Sequence, residues 1–193
     1  MGMGKGLDSQ MILIAAAELA EEKGLENVSL LQIAQRVGVK PSSLYNHLNG
    51  LKEISSGLAT LAIGQLDDAI RDAAVGRAGK DALTSITCAY RTFAKENPEL
   101  YKAIMRFPEY DDRGVRESGH AVIRILYQVL EPYHLGDEET IHFARGLRSA
   151  MHGFVSLEEA GFFSDPHVDA DESYRVLIAC LLSILDGKGD VRE

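Results

Sequence analysis

Between positions 40 and 52 lie Lys40, Ser42, Ser43, Tyr45, Asn46, His47 and Lys52. Two are ammonium groups, and the rest are hydroxyl, phenol, amide or imidazole groups that donate or accept hydrogen bonds over a short reach. Side chains of these types bind phosphate oxygens and the edges of bases in a DNA major groove. Tyr45, His47 and Lys52 suit phosphates. Lys40, Ser43 and Asn46 suit bases, and Ser42 lies beside them.

The surrounding sequence has to present these groups, and its pattern reads as helix, tight turn, helix over 29–52. Ser29 is an N-cap candidate, and Gln32 three residues later completes a capping box. Val28 and Ile33 can form the hydrophobic staple across that cap. Ile33, Ala34 and Val37 make an apolar face at helical spacing. Gly38 stops the helix in the left-handed conformation that glycine adopts cheaply. Pro41 begins the second helix, where its missing N–H costs nothing. That helix is expected to run through Leu48, with Leu44 and Leu48 inward and the polar set outward. Ala34 is small enough for the two helices to cross closely. An ordinary helical hairpin in a core is the other reading of this spacing. Capping, turn and polar face agree better with a DNA-reading helix-turn-helix.

The run Val39-Lys40-Pro41-Ser42-Ser43-Leu44-Tyr45-Asn46-His47-Leu48, followed by Lys52, resembles the recognition helix of TetR-type transcriptional repressors. The family pattern there is Leu-Tyr-x-His-Phe with a lysine opening the next helix; Leu48 replaces the phenylalanine. The resemblance is specific over roughly the first quarter of the chain. Later, the segment 147–158, LRSAMHGFVSLE, resembles a His-Gly segment of one subgroup, with Met151 where a bulky aromatic is common. It implies a head that binds double-stranded operator DNA, a helical ligand domain for a small-molecule effector, and a homodimer through the last two helices.

With 193 residues and a net charge of −9 the chain is acidic, which is unusual for a nucleic-acid binder. Residues 1–57 hold five Lys+Arg and six Asp+Glu, whereas 58–193 hold fifteen and twenty-three. The acidity belongs to the second part, and the first part is close to neutral. No apolar run reaches the roughly 20 residues of a membrane span. The N-terminus lacks a secretory pattern, so the expected location is the cytoplasm. Cys88 and Cys180 lie in apolar helical patterns and are expected to be buried free thiols.

The pattern predicts an all-α fold of about nine helices with no strand. Residues 1–50 are expected to form the DNA-binding domain. Residues 51–193 are expected to form the ligand-binding and dimerisation domain, with 51–74 as a linking helix. A first helix over 9–23 is capped by Asp8. Its buried face is Ile12, Ala15, Ala16, Leu19 and Ala20, with Glu18, Glu21 and Glu22 in solvent. Helices over 81–96 and from Pro98 to about 107 follow, then a loop over 108–118. The next helix, 119–133, is ended or kinked by Pro132. Another, capped by Asp137, runs to about 160, where Gly146 and Gly153 allow close helix approach. The last helix, 172–185, is apolar all round and needs cover from a partner subunit.

Chemistry of other kinds finds no support. GMGKG precedes no strand, and no CxxC, HExxH or Gly-x-Ser-x-Gly spacing exists. The alternating Asp165, His167, Asp169 and Asp171 fail as a calcium loop, with Ala170 where glycine is required. No enzyme activity, cofactor or metal is therefore expected. Tyr90, Phe93, Tyr101, Phe107, Tyr127 and Phe154 form an aromatic set able to line a ligand pocket, with His152 as a polar contact. The expected function is a repressor released from a palindromic operator by a small molecule. The alternative is a helical dimeric sensor of a small molecule or protein without specific DNA binding.

Overall fold

The computed structural model describes residues 8–46, 50–106 and 123–188. Among the described residues there are nine α-helical segments and no strand. They are α1 (Ser9–Lys23), α2 (Leu30–Arg36), α3 (Pro41–Leu44), α4 (Leu51–Ala74), α5 (Gly79–Glu96), α6 (Pro98–Met105), α7 (described over 123–130), α8 (Asp137–Glu159) and α9 (Ala170–Leu182). The all-α expectation holds.

The chain divides into two compact units, one of residues 1–65 with 97–119, the other of 66–96 with 120–193. In the first unit, Asp8 accepts from the Met11 amide at 2.8 Å and starts α1, as its sequence indicates. Ile12, Ala16, Leu19 and Ala20 are buried, as are Ile33, Ala34 and Leu44 from α2 and α3. At Gly57 of α4 an added Cβ would lie 2.5 Å from the Leu13 side chain, so the absence of a side chain there permits close approach to α1.

In the second unit α5, α8 and α9 pack on one another. Leu83, Ile86, Tyr90 and Phe93 form a buried face of α5. Leu147, Met151, Phe154 and Val155 come from α8, and Tyr174, Ile178 and Leu182 from α9. Beneath them Arg91 is buried and donates to both Glu158 oxygens, at 2.8 and 2.6 Å, and to Asp171 at 2.8 Å. Its guanidinium lies 5.3 Å from the Phe154 ring centroid and 5.0 Å from that of Tyr174. Hydrogen bonding to Glu158 outweighs burial and raises the Arg91 pKa; the same contact lowers that of Glu158. One buried cation thus joins three helices.

Several local expectations change. Cys88 and Cys180 are free but exposed, because each falls on the outward stripe of its helix. Asp137 is the first residue of α8 and not its cap. Gly136 takes the cap position, and the Glu139 carboxylate accepts from its amide at 3.4 Å. Neither Gly146 nor Gly153 meets another atom within 4 Å of an added Cβ, so no close helix approach is made there among the described residues. α9 begins at Ala170, capped by Asp169, and tightens into a 3-10 turn at Ser183–Leu185. It is also sided, with Tyr174, Ile178 and Leu182 buried while Val176 and Ile184 are exposed. Pro132 sits in a 3-10 turn, Glu131–Tyr133, that ends α7 as its missing N–H dictates. The expected loop over 108–118 lies outside the described residues.

Candidate nucleic-acid interface

Local chemistry builds the helix-turn-helix. The Ser29 amide donates to Gln32 Oε1 at 2.9 Å, and the Gln32 amide donates to Ser29 Oγ at 3.4 Å, completing the capping box. At the far end the Val39 amide donates to the Ala34 carbonyl at 2.9 Å while Gly38 holds φ at +73°. A side chain at that φ would be strained, so glycine closes the turn. Pro41 then opens α3, and Leu44, 1% exposed, plugs it against the core containing Ile33 and Ala34. The expected helix through Leu48 is shorter where described: α3 ends at Leu44 and a turn follows through Asn46. The Asn46 amide bonds back only three residues, to Ser43, at 3.4 Å. Ser42, Ser43 and Asn46 favour such tight local geometry over a continued helix. His47 and Leu48 lie outside the described residues.

The other proposed contacts sit together on this turn and on the next helix. Lys40, Ser42, Tyr45 and Asn46 are exposed, with Tyr45 61% so, and Ser43 is half-buried. Lys52 is exposed in the first turn of α4. None of these six side chains makes a hydrogen bond or ion pair among the described residues. Their polar atoms are therefore available to an outside partner.

The charge around them is more favourable than the whole chain implies. From Asn27 to Lys52 the sequence carries Arg36, Lys40 and Lys52 and no carboxylate. Among the described residues, several acids of the first unit are engaged by other groups. Glu18 and Glu22 hold Arg36 at 3.0 and 2.6 Å, and these bonds lower the Glu22 pKa and raise that of Arg36. Glu26 pairs with Arg106.

Glu21, expected in solvent, is half-buried and accepts from the amides of Glu99 and Leu100 at 3.3 and 2.8 Å. It thereby caps α6 from another helix; Asn97, at the cap position, gives no side-chain bond to that end. Glu99 returns the contact, accepting from the Leu25 amide at 2.7 Å. Burial raises the Glu99 pKa, but the Leu25 amide and Lys102 outweigh it and the net shift is downward. α6 is thus fastened to α1 through Glu21, and to the 3-10 turn after α1, Leu25–Asn27, through Glu99. Sequence reasoning missed this, because the partners are more than seventy residues apart.

The expected ligand-contacting residues are dispersed. Tyr90 and Phe93 are buried on α5, His152 is half-buried and Phe154 is buried on α8, and Tyr127 is 39% exposed on α7. Phe154 packs against Phe163 and Tyr174, with centroids at 4.6 and 5.0 Å. Tyr101 is buried on α6, in the first unit. Phe107 lies outside the described residues. Arg91 was also missed; a charge on an otherwise apolar stripe of α5 is the signal that marks it.

Residues 12–48 match the family profile described as bacterial regulatory proteins, tetR family. Residues 83–181 match the tetracyclin repressor-like, C-terminal domain. The uncharacterized HTH-type transcriptional regulator YobS of Bacillus subtilis (strain 168) is 38% identical over 152 residues, covering 79% of each chain. This chain belongs to the TetR family. Its fold agrees with solved structures at lower identity. A protein of unknown function from Rhodococcus sp. RHA1 has TM-score 0.78 at 21% identity, covering 98% of this chain and 100% of that one. The TetR family transcriptional regulator PfmR from Thermus thermophilus has TM-score 0.60 at 23% identity, covering 89% and 96%. The chain is a TetR-family DNA-binding transcriptional regulator, and its helix-turn-helix is the part that matches the family's N-terminal profile. No described helix is long and apolar enough to cross a membrane.

Proposed function

We propose that this TetR-family regulator is a cytoplasmic homodimeric repressor that binds a palindromic operator and is released by a small-molecule effector. Residues 1–50 act as the reading head. Residues 51–193 sense and dimerise, with 51–74 as the link. The observation that carries the reading is the unpaired, exposed set Lys40, Ser42, Tyr45, Asn46 and Lys52 beside a buried Leu44 plug. Tyr45, His47 and Lys52 hold phosphates and orient the head; Lys40, Ser43 and Asn46 face base edges, with Ser42 next to them. Two heads on a two-fold axis read half-sites about one helical turn, or a multiple of it, apart.

Dimerisation through α8 and α9 is supported by apolar side chains left in solvent, namely Ile141 and Leu157 on α8 and Val176 and Ile184 after them. The open glycines Gly146 and Gly153 lie on α8 as well. Tyr90, Phe93, Tyr127, His152 and Phe154, with Tyr101 and Phe107, remain the proposed effector contacts. Effector binding acts by population shift, favouring a head arrangement that the operator does not accept. The test is selection of bound duplexes from random and self-genomic DNA, repeated with Tyr45→Ala and Lys52→Ala. One palindromic motif, lost in both variants, is expected. A folded dimer that enriches no sequence at low salt overturns the reading in favour of a sensor without specific DNA binding.

A further inference from the structure

Leu31, the second residue of α2, is 55% exposed, more than any other aliphatic side chain of the first unit among the described residues. Gln35, one turn later, is also exposed, and its side chain makes no hydrogen bond among the described residues. At about 100° per residue, the side chains follow one another round α2 in the order Arg36, Ile33, Ala34, Leu31, Gln35. Arg36 is turned to α1 by Glu18 and Glu22, at 3.0 and 2.6 Å. Ile33 and Ala34 are buried in the core to which α3 adds Leu44. Leu31 and Gln35 therefore occupy the flank of α2 away from α1. The first helix of a helix-turn-helix crosses the DNA backbone while the second enters the groove. With α1 on the Arg36 flank, the Leu31–Gln35 flank is the side of α2 open to that duplex. No carboxylate lies between Asn27 and Lys52 to repel it. Scattered exposed leucines are ordinary on protein surfaces. Leu31 is singled out by its place in the DNA-binding motif, on the uncovered flank of the shorter helix pair.

We propose that Leu31 is a further specificity residue of the DNA interface, and that its side chain packs on the 5-methyl group of a thymine in each operator half-site. This rests on the operator-binding reading above. Thymine alone shows a methyl group in the major groove, so an apolar side chain there distinguishes its base pair without a hydrogen bond. Gln35 suits the adjoining phosphate, where polar side chains fix the register of the head. Leu31 adds an apolar contact to the donors and acceptors around α3.

The test replaces each thymine of the selected operator in turn, symmetrically in both half-sites, by deoxyuridine, which keeps the hydrogen-bonding edge and removes only the methyl. Fluorescence anisotropy measures binding of the parent, Leu31→Ala and Tyr45→Ala to each duplex. At one position the parent is expected to lose affinity by about fourfold per half-site, the worth of one buried methyl. Leu31→Ala is expected to bind the unmodified operator more weakly than the parent does and to be indifferent to the methyl at that position. Its melting temperature is expected to match that of the parent. Tyr45→Ala is expected to bind every duplex more weakly and to keep the full methyl effect. A parent for which no thymine methyl matters overturns the proposal, as does a methyl effect that survives Leu31→Ala. So does a Leu31→Ala protein that melts lower and weakens on all duplexes alike, since the leucine then acts through the packing of the protein itself. A palindromic operator whose methyls are all indifferent keeps the repressor and discards this role of Leu31. A folded dimer that selects no duplex discards both.

Discussion

Tyr45 exposes its phenol and Lys52 its ammonium, and neither side chain supports a neighbour among the described residues. Replacing either by alanine is expected to change folding stability by no more than about 0.5 kcal/mol. The same changes are expected to weaken operator binding about tenfold, and Lys52→Ala is expected to reduce the salt slope of binding by about 0.9 per head. Fluorescence anisotropy on a labelled operator across a salt series measures both. Arg91 has the opposite character. It is buried, and Arg91→Met leaves Glu158 with Lys95, at 3.2 Å, and leaves Asp171 without its ion pair. A loss of roughly 3 kcal/mol in urea unfolding is expected, most of it recovered by adding Glu158→Leu. The exposure of Lys40, Ser42, Tyr45, Asn46 and Lys52 follows residue type and local pattern, which the sequence holds. Arg91 was not legible, because its partners come from α8 and α9, and one-dimensional periodicity holds no information about what lies opposite a helix.

At the scale of elements, helix ends divide into local and tertiary kinds. The Ser29–Gln32 box is local, its members being three residues apart, and Ser29→Ala is expected to cost about 1 kcal/mol. The α6 end is tertiary, since Glu21 supplies the acceptor that Asn97 does not. Glu99 completes the exchange, and its lowered pKa makes that bond dependent on pH. A carboxylate with a depressed folded-state pKa contributes stability above its unfolded-state value, and the contribution is lost as pH falls through the folded value. Glu99→Gln is therefore expected to lower stability by about 1–2 kcal/mol at pH 7. The difference from the parent is expected to shrink as pH falls below the ordinary glutamate range and to disappear under more acid conditions. Urea unfolding from neutral to acid pH measures it; a difference independent of pH would show that the charge of Glu99 is not involved. α1 and the turn after α2 fell where their cap and turn residues placed them, and α4 begins at Leu51 as expected. α3 came out shorter, because Ser and Asn at its end favour local backbone bonds over continued helix.

For the whole molecule, the question is what covers the apolar side of α8 and α9. Val176 and Ile184 are 53% and 57% exposed, although the sequence of α9 is apolar on nearly every side. A second copy seated there buries them. Val176→Asp with Ile184→Glu is expected to convert the dimer to a folded monomer in sedimentation or light scattering. Operator affinity is expected to fall at least a hundredfold, since two linked heads bind with an advantage that one head lacks. A dimer that persists would place the subunit contact on another face.

The sequence by itself determined the all-α class, the helix-turn-helix with its caps and its glycine turn, and the exposed polar residues Lys40, Ser42, Tyr45, Asn46 and Lys52 beside it. Each of these depends on residues within one or two helical turns of each other, where side-chain period and backbone chemistry act directly. Only the tertiary structure decided that Glu21 caps α6, that Arg91 joins three helices, and that both cysteines face outward. Those outcomes depend on which faces meet across separations of tens of residues. Packing in three dimensions selects those partners, and no local pattern encodes them.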